Sequence, residues 1–167
     1  YNTFFFFFSF TQSLQEQLGY RNLTEHQYAV ASFLIGSLDD DGYLRRSIDS
    51  IVDDLSFRAN VETDEDEVLA MLKVIQEFEP SGVGARDLRE CLLLQIRNCK
   101  KTPEVETATK ILTSYFAEFT NKHYQKIMAR MGLTEPQLKA AMSKILKLNP
   151  SPGGQIDDSY TDQAQQI

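Results

Sequence analysis

The 167 residues are 42% hydrophobic and 25% charged, the balance of a chain that buries a core. No apolar run nears the roughly 20 residues that span a bilayer, so no membrane partner is expected. The net charge of -7 is uneven: residues 1–80 hold 5 basic and 15 acidic side chains, residues 81–167 hold 12 and 9. The first part therefore repels phosphate and suits a basic protein surface, and any nucleic-acid contact falls to the second.

The chain opens on a phenylalanine run, Phe4 to Phe8, with no basic flank and no small-residue cleavage site. It does not resemble a secretory leader, and residues 1–13 read as a Phe-rich lead-in. Thr11 to Leu18 reads as a short helix ended by Gly19. Thr24 and Gln27 form a capping box before the apolar face Tyr28, Ala31, Phe33–Ile35 and Leu38. Asp39-Asp40-Asp41-Gly42 is a turn. Ser47 caps a short helix with Ile48, Ile51, Val52 and Leu55 on one face. Thr63 is read as the cap of the next helix, whose acidic first turn favours the positive helix end, and which runs to about Phe78.

Ser81-Gly82-Val83-Gly84 links to a helix expected from about Ala85 to Cys99. Thr102-Pro103 opens a helix carrying Ala108, Ile111, Leu112, Tyr115, Phe116 and Phe119. Tyr124, Ile127, Met128 and Met131 make the next face, stopped by Gly132. Thr134 and Gln137 cap the last helix, which ends before Pro150. One phrase occurs twice, 70 residues apart: Val68, Leu72, Ile75 and Phe78 before Pro80 superpose on Leu138, Met142, Ile145 and Leu148 before Pro150. Proline stops both helices, lacking a donor and restricting its predecessor. The expected fold is all-α: an acidic lobe over 14–84, a second lobe over 85–150, and a polar tail over 151–167.

Chemical groups are sparse. His26 and His123 stand near helix starts, away from any metal-binding spacing. Gly82-Val83-Gly84 lacks the third glycine of a dinucleotide loop, because position 87 is Asp87, and no strand precedes it. A calcium loop through Asp39 and Asp41 would need glutamate where Ile48 stands. Cys91 and Cys99 are separated by roughly 12 Å of helix, beyond disulfide reach, and read as reduced thiols of a cytoplasmic protein. No catalytic residue, cofactor or metal is assigned. As a DNA reader the acidic helix is poor. In the second lobe Arg130, Lys139, Lys144 and Lys147 are weak phosphate candidates, which leaves a small helical DNA-binding regulator as the alternative.

Three phrases carry a family resemblance: Leu34 to Leu44 (LIGSLDDDGYL), Glu79 to Leu92 (EPSGVGARDLRECL) and Ile145 to Gly154 (ILKLNPSPGG). In this order they resemble the central region of the sigma-54 type, the enhancer-dependent bacterial sigma factors, from about Leu14 to Gln155. The resemblance implies attachment to core RNA polymerase through its large subunits. It implies promoter recognition by the complete factor, held closed until an ATP-hydrolysing activator remodels it. The activator-responsive glutamine-rich region and the carboxy-terminal promoter-reading parts are not matched, so the chain reads as a fragment. The contact candidates are Asp39, Asp40, Asp41, Glu62, Asp64, Glu65, Asp66, Glu67, Arg86 and Arg89. The Pro80–Ala85 stretch reads as a rigid elbow, its glycines allowing a sharp turn, and its exposed face is a second candidate surface.

Overall fold

The computed structural model describes residues 2–154, with side chains from Ser9 onward. The Phe4–Phe8 side chains and the tail from residue 155 lie outside the described residues. Every regular element among the described residues is helical, as the periodicity predicts. The chain divides into two compact units. One holds the residues up to Asp87 together with Ser151 to Gly154, and the other holds Leu88–Pro150.

The first unit contains α1 (Asn2–Gly19), α2 (Glu25–Gly36), α3 (Ile48–Ala59) and α4 (Glu65–Ile75). Helix α2 packs on α1 and α4, and α3 packs on α4. Leu14, Leu18, Val30, Leu34, Ile51, Leu55, Leu72 and Ile75 are buried between them. Each contributes about 1.5–3 kcal/mol by leaving water. The caps follow the sequence with one correction. Thr24 and Gln27 form the capping box of α2, and Ser47 accepts from Ser50 N at the start of α3. The cap of α4, however, is Asp64, whose carboxylate accepts from Glu67 N at 2.9 Å. Thr63, one residue early for that bond, donates to Glu67 Oε1 instead. Helix α4 also stops before Phe78. Glu77 N and Phe78 N turn back to Val74 O and Ile75 O, a tightened last turn that keeps Phe78 buried.

The second unit contains α5 (Leu88–Ile96), α6 (Pro103–Ser114), α7 (Phe116–Thr120), α8 (Tyr124–Met131) and α9 (Glu135–Leu146). Helix α5 starts three residues later than expected, because Ala85 is committed to the turn before it: its N–H reaches Gly82 O and its carbonyl accepts from Leu44 N. The helix expected through Phe119 breaks at Tyr115. At the break Arg89 of α5 donates to the Leu112 and Thr113 carbonyls at 2.9 and 2.7 Å. Those are the acceptors that Phe116 N and Ala117 N would use in a continued helix.

The repeated phrase extends into the packing. In each unit a first helix packs on a second, the second packs on the last, and a third also packs on the last: α1, α2, α4 and α3 in one, α5, α6, α9 and α8 in the other. A glutamine clasps the residue before each proline. Gln17 Nε2 donates to Glu79 O and Glu79 N donates to Gln17 Oε1, at 2.7 and 2.8 Å. Gln95 does the same with Asn149, at 2.6 and 2.8 Å. Helices α3 and α8 both end in a left-handed residue, Asn60 (φ 54°) and Gly132 (φ 67°). The next amide then turns back to close the helix end, Val61 N to Leu55 O and Leu133 N to Met128 O.

Candidate interaction surfaces

Within the first unit, parts of all three phrases meet at Gly42. The Asp39 side chain builds the turn by accepting from Asp41 N and Tyr43 N, both at 2.9 Å. Gly42 has φ 87°, a left-handed conformation that favours glycine. Its carbonyl accepts from Gly84 N at 2.8 Å, and Leu44 N donates to Ala85 O at 2.9 Å. On another side Gly153 N donates to Asp41 O at 2.9 Å, and Ser151 Oγ donates to Asp41 Oδ1 at 2.6 Å. Gly84 is also left-handed, at φ 79°.

This joint sorts the acidic candidates. Asp39 is occupied by the turn and by Arg45, whose guanidinium lies 3.1 Å from Oδ2 and stacks over the Tyr43 ring. Asp41 is occupied by Ser151 and Gly153. Asp40 is exposed between them. In the second acidic run Glu62 accepts from Ser56 Oγ, Asp64 caps α4, and Glu67 receives Thr63 Oγ1 and contacts His26 Nε2. Glu65 and Asp66 are exposed at the open end of α4. Asp40, Glu65 and Asp66 are thus the carboxylates most available to a partner.

The first unit also displays a residue the sequence reading passed over. Phe57 of α3 is 87% exposed. It follows Asp49 and Asp53 at four-residue steps, and all three are exposed on one stripe. The signal was available: Phe57 falls off the Ile48, Ile51, Val52 and Leu55 face. The Asp49 carboxyl is held below its ordinary value, chiefly by the Ser47 hydroxyl. Any stability it gives is therefore present above the ordinary carboxylate range and is lost as pH falls through the lowered value.

Arg86 is exposed beside the joint, whereas Arg89 closes the end of α6 as described above. In the second unit Lys139 pairs with Glu135 at 3.2 Å. Lys144 lies near Glu104, whose carboxyl is lowered first by its own backbone N–H, then by Thr102, with a smaller pull from Lys144. Arg130 and Lys147 are exposed. Among the described residues no group of three or more His, Cys, Asp or Glu could hold a metal ion. No described helix is long and apolar enough to cross a membrane.

Residues 8–167 match the family described as sigma-54 factor, core binding domain. The chain belongs to the sigma-54 core-binding-domain family. It is 37% identical over 144 residues to the RNA polymerase sigma-54 factor of Pseudomonas aeruginosa strain UCBPP-PA14, covering 86% of this chain and 29% of that protein. The factor of Salmonella typhimurium strain LT2 is 38% identical over 151 residues, covering 87% and 31%. That of Acidithiobacillus ferridurans is 36% identical over 158 residues, covering 91% and 32%. The chain thus spans about three tenths of the length of these sigma-54 relatives.

Proposed function

We propose that this chain is the part of an enhancer-dependent sigma factor that docks on core RNA polymerase. The observation that carries the reading is the match of residues 8–167 to the sigma-54 core-binding family. We place the docking surface on the first unit, where residues 1–87 carry 16 acidic and 6 basic side chains. Asp40, Glu65 and Asp66 supply steering charge, and Phe57 is the anchor for an apolar pocket rimmed by basic residues. Asp39 and Asp41 keep the joint in shape, and Arg86 is a rim contact. We assign the chain no catalysis. Promoter DNA and an ATP-hydrolysing activator enter as partners of the complete factor. The regulator reading is not favoured, because the family is a sigma factor and α9 opens on Glu135-Pro136 rather than on groups that read bases.

The test is competition for core polymerase between the parent chain and variants. Phe57→Ser is expected to bind about tenfold more weakly, with unchanged urea unfolding because the ring is already in water. Asp40→Lys combined with Glu65→Lys is expected to slow association and flatten its salt dependence. Unchanged affinity in both variants removes this surface from the reading.

A further inference from the structure

Helices α3 and α8 hold equivalent places, each closed by a left-handed residue and each packing on the last helix of its unit. Their outer faces carry opposite charge. That of α3 presents Asp49, Asp53 and Phe57, whereas that of α8 presents Gln125, Lys126, Ala129 and Arg130, all exposed. Helix α8 contains no acidic residue. Lys126 and Arg130 are one helical turn apart on one side. Just ahead of them Lys122 is held left-handed at φ 61°, a conformation that costs a residue with a Cβ roughly 1–2 kcal/mol. Among the described residues none of these three cations is paired with a carboxylate. Around them Leu88–Pro150 carry 11 basic and 5 acidic side chains.

We infer that the outer face of α8, with Lys122, is a contact surface for the phosphates of duplex DNA. The face suits a protein partner less well than a polyanion. Protein interfaces enrich arginine, which Arg130 supplies, but deplete lysine and favour aromatic residues and methionine. Here Tyr124, Met128 and Met131 turn toward the core of the unit instead. The small Ala129 between two cations lets a backbone approach closely, and Gln125 adds an amide. From Lys126 to Arg130 is about 6 Å at helical rise, comparable to two phosphates of one strand at about 3.4 Å of axis each. Such contacts position a duplex without reading its sequence. This goes beyond the polymerase reading and does not depend on it.

The test titrates the 167-residue chain against a short duplex of arbitrary sequence over a range of salt concentrations. The variants are Lys126→Ala with Arg130→Ala, and, as a charge-matched control elsewhere in the unit, Lys100→Ala with Lys101→Ala. Affinity for core polymerase is measured in parallel. Alanine at exposed helical positions preserves α8. The parent chain is expected to bind weakly, with affinity falling as salt rises. The α8 pair should lower the slope of log affinity against log salt by about 1.8, at roughly 0.9 per lost phosphate contact, while the control pair leaves it in place and polymerase affinity is kept. The inference is overturned if the parent shows no salt-sensitive binding, if the α8 pair leaves the slope unchanged, or if the control pair lowers it equally. Loss of polymerase affinity with an unchanged DNA slope also overturns it, and gives the face to a protein partner.

Discussion

Gly153→Ala is expected to release Ser151–Gly154 from the Asp39–Gly42 turn and to destabilise the first unit by about 2–3 kcal/mol. A methyl added at Gly153 would lie 2.7 Å from Asp40 O, 2.7 Å from Gly42 N and 2.9 Å from the Asp41 carbonyl carbon. These are backbone atoms of a turn already held by Asp39, Gly84 and Leu44, so the obstacle cannot rotate away. The segment must lift instead, losing the Gly153 and Ser151 hydrogen bonds to Asp41 and exposing Pro152, which is buried. Gly36→Ala is the contrasting control. Nothing lies within 4 Å of its added methyl, and alanine at the end of α2 should stabilise by up to about 1 kcal/mol. Urea unfolding measures both changes, and hydrogen exchange at Gly42 and Gly153 locates the first. Equal stability of the two variants would mean that the joint tolerates a looser fit than its backbone distances allow.

Gln95→Leu is expected to cost the second unit about 2 kcal/mol, from two lost hydrogen bonds at roughly 1 kcal/mol each. The side chain is only 8% exposed and bonds Asn149 through both amide atoms. Leucine of similar size removes both bonds, and the Cys91 thiol, 3.6 Å from Asn149 O, is too weak a donor to replace the amide. Gln95→Glu separates hydrogen bonding from packing. It keeps an acceptor for Asn149 N but sets a carboxylate oxygen against Asn149 O, and should be at least as destabilising. If leucine proves neutral in urea unfolding, the clasp is not what seats the segment before Pro150.

Much of this architecture is legible in local signals. Thr24 with Gln27, Thr134 with Gln137, Thr102-Pro103 and Gly132 each act within a few residues, and each stands where the sequence places it. Gly82 and Gly84 both have the positive φ that glycine permits. What escapes the sequence depends on partners far along the chain. Arg89 satisfies the end of α6 from 23 residues away, and the glutamine clasps span 62 and 54 residues. Asp64 displaces Thr63 as a cap because two capping residues stand side by side, and only geometry chooses between them. The candidate surface was less legible for the same reason. Asp39, Asp41 and Arg89 look like free surface charges until the turn, the Ser151–Gly154 segment and the end of α6 engage them. The stripes carrying Phe57 and Arg130 stand out once the inner face of each helix is known.

The docking claim is tested most directly by titrating the labelled chain with purified core RNA polymerase at physiological salt. Saturable one-to-one binding is expected, which unlabelled chain competes away and Phe57→Ser weakens. A folded chain that shows no saturable association with the core enzyme would contradict it.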